Sequence, residues 1–152
     1  MVIYFGADHR GFELKEQLKK YFQERAYELI DLGNETYDAG DDFPDFASKV
    51  GEKVSWSPDN GRGILVCGSG VGVCVVANKF KNVRAATAIS SDQIYDARRH
   101  DDINVLCLSS DSFDFDAAKA MTQVFLDTAF DEEEKHRRRL GEILTIEEKN
   151  LK

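Results

Sequence analysis

The stretch Cys67-Gly-Ser-Gly-Val-Gly72 joins a reactive side chain to three alternating glycines. It follows an apolar run ending in Leu65-Val66 and leads into a segment of helical character. Glycines there let backbone N–H groups come close to an anion at the positive end of the next helix. A dinucleotide loop fits poorly, because glycines 68, 70 and 72 fall as G-x-G-x-G instead of G-x-G-x-x-G. That fingerprint also expects an acidic residue ~20 positions later, where this chain has Ala88. The same field should favour the thiolate of Cys67. A thiolate beside donors aimed at an oxyanion suits removal of a carbon-bound proton next to a carbonyl, with the N–H groups holding the enediolate. A nucleophilic cysteine with a histidine close by is a competing use, and a small buried residue is another. Cys74, inside the next helix, and Cys107, inside a strand, read as buried packing.

Three other segments carry candidate groups. In Gly6-Ala-Asp-His-Arg-Gly11, Asp8 and His9 precede a helix. Asp8 there is either a cap or a ligand to substrate, and His9 either a surface residue or a ring aimed into a cleft. In Arg98-Arg-His-Asp-Asp102, His100 closes a helix, where the dipole keeps an imidazole protonated longer and suits it to donate a proton. In Lys135-His-Arg-Arg-Arg139, directly after Asp131-Glu-Glu-Glu134, Lys135, Arg138 and Arg139 share a helix face. Such donors fit a phosphate; the alternative is a solvated face laced with i,i+4 ion pairs.

The elements that must position these groups follow from periodicity. Short apolar runs at Val2–Phe5, Tyr27–Asp31, Gly63–Cys67, Ala85–Ile89 and Val105–Leu108 predict strands. Between and after them, helical spacing predicts Phe12–Arg25, Asp45–Ser55, Val71–Lys79, Ser91–His100 and Asp114–Ala129. Charged helix formers continue to Lys152, with Thr145-Ile-Glu-Glu148 as a capping box. Strands alternating with helices imply a doubly wound α/β fold, with a mostly parallel five-stranded sheet, helices on both faces and a C-terminal helical extension. Ligands in such folds bind beyond the carboxyl ends of the strands.

At 152 residues the chain reads as a single domain, 1–152. No apolar run approaches the ~20 residues that span a bilayer, and Val2 enters a strand-like run with no basic leader before it. Three cysteines at 67, 74 and 107 form neither a disulfide framework nor a zinc pattern, which favours reduced thiols and a cytoplasmic location. A net charge of -8 argues against nucleic-acid or membrane partners.

Taken in order, five segments resemble the type B ribose-5-phosphate isomerases and the wider family that includes galactose-6-phosphate isomerase subunits. They are Gly6-Ala-Asp-His-Arg-Gly-Phe12, Asp42-Phe-Pro-Asp-Phe-Ala47, Cys67–Gly72 continuing to Ala77-Asn-Lys79, Arg99-His-Asp-Asp-Ile-Asn-Val105, and Lys135–Arg139. The resemblance implies a Rossmann-like fold, no metal or organic cofactor, and a homodimer or tetramer whose active sites combine two subunits. It implies aldose–ketose isomerisation, with ribose 5-phosphate and ribulose 5-phosphate as first-choice pair; a six-carbon sugar phosphate and a non-catalytic sugar-phosphate-binding protein are the alternatives. By position, Cys67 resembles the base, His100 the ring-opening group, and Ser69 with Gly68, Gly70, Val71 and Gly72 the enediolate-holding loop. Asp8 and His9 resemble substrate-binding residues, and Lys135 and Arg139 stand where the family places phosphate-binding arginines. Three departures bear on substrate choice: Lys135 for arginine loses a bidentate fork, Asp101 replaces the usual asparagine after the histidine, and Phe43 replaces a common tyrosine.

Overall fold

Alternate residues of a strand face opposite sides of a sheet, and the apolar runs of this chain use that period to build two cores. A computed structural model describes residues 1–150. In chain order the elements are β1 (Val2–Ala7), α1 (Phe12–Gln23), β2 (Glu28–Asp31), α2 (Phe43–Trp56), β3 (Gly61–Cys67), α3 (Val71–Ala77), β4 (Ala85–Thr87), α4 (Ser91–Asp101), β5 (Val105–Ser109), α5 (Phe115–Asp127) and α6 (Glu134–Asn150). The sheet is parallel throughout, in the order β2-β1-β3-β5-β4.

Ile64, Val66, Leu106 and Leu108 point to one face, where Leu14, Leu18 and Phe22 of α1, Ile94 of α4 and Phe125 of α5 close over them. Leu65, Cys67, Val105 and Cys107 point to the other, under Val50 and Val54 of α2 and Val73 and Ala77 of α3. Phe5, Leu18, Phe22 and Phe125 have no exposed surface, and burying each such side chain contributes at most ~1.5–3 kcal/mol. Because α1 leaves β1 toward the first face and α3 leaves the adjacent β3 toward the second, a crevice opens beyond the ends of these two strands.

The expected strands and helices all form, with shifts at their ends. α1 stops at Gln23 because the chain turns through a left-handed residue at Ala26, φ 61°. α2 begins two residues early, with Pro44 in its first turn, where a missing N–H costs nothing. β4 ends at Thr87, short of Ile89, and α3 ends at Ala77, short of Lys79. The expected capping box at Thr145 does not form: α6 runs straight through, and the Thr145 hydroxyl donates to the Gly141 carbonyl inside the helix at 3.0 Å. The expected continuation to Lys152 passes outside the described residues.

Candidate active site

Cys67 is the last residue of β3 and only 4% exposed. The chain after it bends so that the Gly70 N–H donates to the Cys67 sulfur at 3.1 Å. That bend needs Gly70 in the left-handed region, φ 77°, where other residues are strained. A Cβ there would also lie 3.1 Å from the Leu108 carbonyl carbon. Gly72 is small for a different reason. A Cβ at Gly72 would meet the Phe43 ring at 2.9 Å, and one at Gly68 would push aside the Arg10 guanidinium, the movable end of an exposed side chain. Ser69 and Val71 are exposed at the mouth of the loop, with the Val71 N–H donating to the Ser69 hydroxyl at 3.2 Å.

The end of β1 forms the facing wall. Asp8 is buried and accepts from the Gly11 N–H at 3.0 Å, so one carboxylate oxygen shapes the turn into α1. His9 is held by a residue that sequence inspection passed over. Asp41 Oδ1 accepts from both the His9 backbone N–H and ring Nδ1, each at 2.8 Å. The hydrogen bond to Asp41 raises the His9 pKa above its ordinary value, against a smaller opposing effect of burial. Asp41 sits among Asp38, Asp42 and Asp45, any of which could serve as a helix cap, and spacing alone does not select it.

The remaining candidates lie at the other edge of the sheet. α4 carries the chain back along β5, and its last turn presents His100 and Asp101. Just beyond, Asn104 accepts from the Gly63 N–H at 2.9 Å and donates its own N–H to the Arg84 carbonyl at 3.0 Å. These are the starting ends of β3 and β4. Cys67 is four steps along β3 from Gly63, about 13 Å at ~3.3 Å per residue. Within one chain, therefore, His100 and Cys67 stand at opposite ends of the sheet.

His100 stacks at 4.5 Å on the ring of His136, which is buried in the first turn of α6. His136 Nδ1 meets Asp131 Oδ1 at 2.8 Å, and Arg99 reaches Asp131 Oδ2 at 3.3 Å. Burial pushes the Asp131 carboxyl up, but the hydrogen bond from His136 and the nearby cations outweigh it and hold the pKa below the usual value. Donor atoms of His100, Asp131 and His136 all lie within 4.8 Å of one another, close enough to be drawn toward a metal ion. Asp131, however, is already engaged by His136, Arg99 and the Glu133 N–H, so its oxygens are taken up by protein donors. Lys135 and Arg139 stand exposed on α6 beside this cluster, with Lys135 3.0 Å from Glu133. The expected i,i+4 pair also forms, between Arg138 and Glu142 at 2.9 Å.

A parallel α/β sheet with a cysteine and glycine loop at one switch point, and imidazoles beside cations at the far edge, defines a class of acid–base enzyme acting on small anions. The chain belongs to the Ribose/Galactose Isomerase family, whose sequence model matches residues 3–143. It is 41% identical over 145 residues to a probable ribose-5-phosphate isomerase B of Mycoplasma genitalium, covering 95% of each chain. The structure of ribose-5-phosphate isomerase B from that organism, with bound ribulose-5-phosphate, superposes with a TM-score of 0.94 at 39% identity, covering 98% of this chain and 97% of that one. Ribose-5-phosphate isomerase B of Clostridium thermocellum gives 0.92 at 36% identity, covering 98% and 99%.

Proposed function

We propose that the protein interconverts ribose 5-phosphate and ribulose 5-phosphate through a cis-enediolate, using side chains of two subunits. The observation that carries the chemistry is the Cys67 sulfur, held by the Gly70 N–H at 3.1 Å at the floor of the strand-end crevice. His100 gives a proton to the ring oxygen and takes the one that leaves the O1 hydroxyl, so the furanose C1–O bond breaks and the aldehyde forms. The Cys67 thiolate then takes the proton from C2. The electron pair moves into the C1–C2 bond, and charge develops on the former carbonyl oxygen. The Gly68–Gly72 loop, with the Ser69 hydroxyl at its mouth, is the part of the crevice we assign to hold that charge. Cys67 returns the proton to C1 and a proton passes from O2 to O1, giving the ketose with no net change in composition. Asp8 and His9 hold sugar hydroxyls or phosphate. Lys135 and Arg139 meet the phosphate, with Asp101 beside the sugar.

The division of these groups between two edges supports a homodimer with shared sites, in which Cys67 of one subunit works with His100 of another. Exposed apolar residues next to both halves support the same reading: Val71 and Val75 lie one turn apart on α3, at 54% and 53% exposure, and Ile143 and Ile146 lie on α6. Phe43 covers Gly72 with a ring that has no hydroxyl to offer, so Phe43→Tyr should lower KM for the preferred sugar more than it changes kcat.

Turnover of a panel of five- and six-carbon aldose phosphates, run with EDTA, tests the proposal. Ribose 5-phosphate should give the highest kcat/KM, and EDTA should leave it unchanged. Cys67→Ala should fold, bind the sugar phosphate and lose proton exchange at C2 by ~100-fold or more. Full turnover by that variant would remove Cys67 from the role of base.

A further inference from the structure

We propose that Asp41 is a positioning residue of the strand-end site, holding the His9 ring with its hydrogen on Nδ1 so that Nε2 is the nitrogen presented to substrate. This rests on the proposed function only in taking that crevice as the place where substrate binds.

The geometry is two-pronged. One oxygen of Asp41 lies 2.8 Å from the His9 backbone nitrogen and 2.8 Å from ring Nδ1. A carboxylate only accepts, so the proton of that second bond belongs to Nδ1. The backbone bond fixes where His9 sits, and the ring bond fixes its rotation and tautomer together. The Asp41 side chain is 5% exposed whereas the His9 ring is 29% exposed. The orienting group is thus shielded while the oriented ring stays open to a ligand.

Asp41 is itself anchored. Its other oxygen accepts from the Asn34 amide, and the Asn34 carbonyl accepts from Lys15 Nζ at 2.9 Å. Lys15 has no exposed surface and is paired with Asp31 at 2.8 Å. A run of polar bonds therefore leads from a buried lysine of α1 to the ring at the mouth of the crevice, across the exposed segment Glu35–Gly40. The segment joining β2 to α2 is tied down at the residue that touches His9.

The charged groups facing His9 are Asp8 from the end of β1 and Asp41 from the segment before α2, with the Tyr37 ring edge-on at 6.4 Å. Both carboxylates favour the imidazolium, whose Nε2–H donates to an anionic oxygen of a sugar phosphate. Above the titration, the same Nε2 becomes an acceptor. Without Asp41 the neutral ring would divide between tautomers, and half of its chemistry would point the wrong way.

The test uses the full-length protein labelled with 15N and long-range proton–nitrogen spectra of its three imidazoles, with His9→Gln identifying the His9 signals. Wild type should show neutral His9 protonated at Nδ1. Asp41→Asn should keep that tautomer, because an amide oxygen still accepts, and should lower the titration midpoint. Asp41→Ala should lose both. With ribose 5-phosphate, kcat/KM should fall roughly tenfold or more in Asp41→Ala and less in Asp41→Asn, the range expected when an orienting partner of an imidazole is removed. In the His9→Gln background Asp41→Ala should add no further loss. An Nε2–H tautomer in wild type, or ring spectra unchanged in both Asp41 variants, would overturn the proposal. A further loss of equal size in the His9→Gln background would do the same. The spectra need no turnover, so failure of the isomerase assignment would leave this test standing and be seen separately in the substrate panel.

Discussion

Cys67 and Cys74 differ in what surrounds their sulfurs. Cys67 is 4% exposed and takes an N–H from Gly70. Cys74 is half-buried on α3, and a hydrogen bond from Cys107 brings its pKa down to about 6, against the opposing effect of burial. Burial drives the Cys107 thiol well above its ordinary value, so of this pair Cys74 ionises first. Alkylation by iodoacetamide, followed by mass spectrometry, should label Cys74 with a midpoint near pH 6. Cys107→Val removes the donor and should move that midpoint upward; an unchanged midpoint would mean that Cys107 does not supply the proton. His9 shifts in the opposite sense. Its raised pKa means that the extra stability of the charged pair with Asp41 is fully present below the ordinary imidazole value of ~6.5 and is lost as pH rises through the raised one, while the neutral ring keeps its Nδ1 hydrogen bond. The stability gap between wild type and His9→Gln, measured by urea unfolding, should narrow from pH 6 to pH 9.

The loop after β3 is where an element and its chemistry depend on one backbone angle. Gly70 holds φ 77°, and Gly70→Ala should cost about 1–2 kcal/mol in urea unfolding. It should also turn the Gly70 N–H away from Cys67, so that activity falls further than the loss of folded protein explains. Much of this architecture is legible in the sequence because it is periodic. The strand runs flip faces every residue, and α1 carries Leu14, Leu18 and Phe22 down one stripe. Cys67 is legible because it ends such a run. His100 is harder to place, since it follows β4 in order yet sits far from the strand ends. The eleven residues of α4 span about 16 Å at ~1.5 Å each, the length of a five-residue strand. A crossover helix of that length carries its last turn back to the opposite edge of the sheet. Asp41 is not legible at all, because its partner lies 32 residues away and three neighbouring acids, Asp38, Asp42 and Asp45, make equally good caps. His136 and Asp131 stayed hidden inside a charged run whose helical spacing shows only its solvent face.

For the whole molecule, the separation of Cys67 from His100 is a topological necessity. One group ends a strand, the other ends the helix that runs antiparallel to the strands, and about 13 Å of sheet lies between their levels. No local rearrangement of the chain brings them together without unpairing β3 from β5, whose ladder runs from Gly63↔Val105 to Cys67↔Ser109. The proposed homodimer answers this by symmetry: in a twofold pair that sets the strand-end half of one chain against the helix-end half of the other, two complete sites form. At the helix-end half Arg99, Lys135, Arg137 and Arg138 each pair with an acid, Asp131, Glu133, Glu132 and Glu142 in turn, so a phosphate bound there has to compete with those carboxylates. Mixed dimers test this arrangement. Cys67→Ala chains and His100→Asn chains, carrying different affinity tags, are co-expressed and the heterodimer isolated. If sites are shared, one site of that dimer carries both substitutions and the other carries neither. Activity on cyclic ribose 5-phosphate should then be about half that of wild type, while each parent homodimer stays low. If each chain housed its own site, every site in the heterodimer would carry one defect, and activity would equal the mean of the two parents.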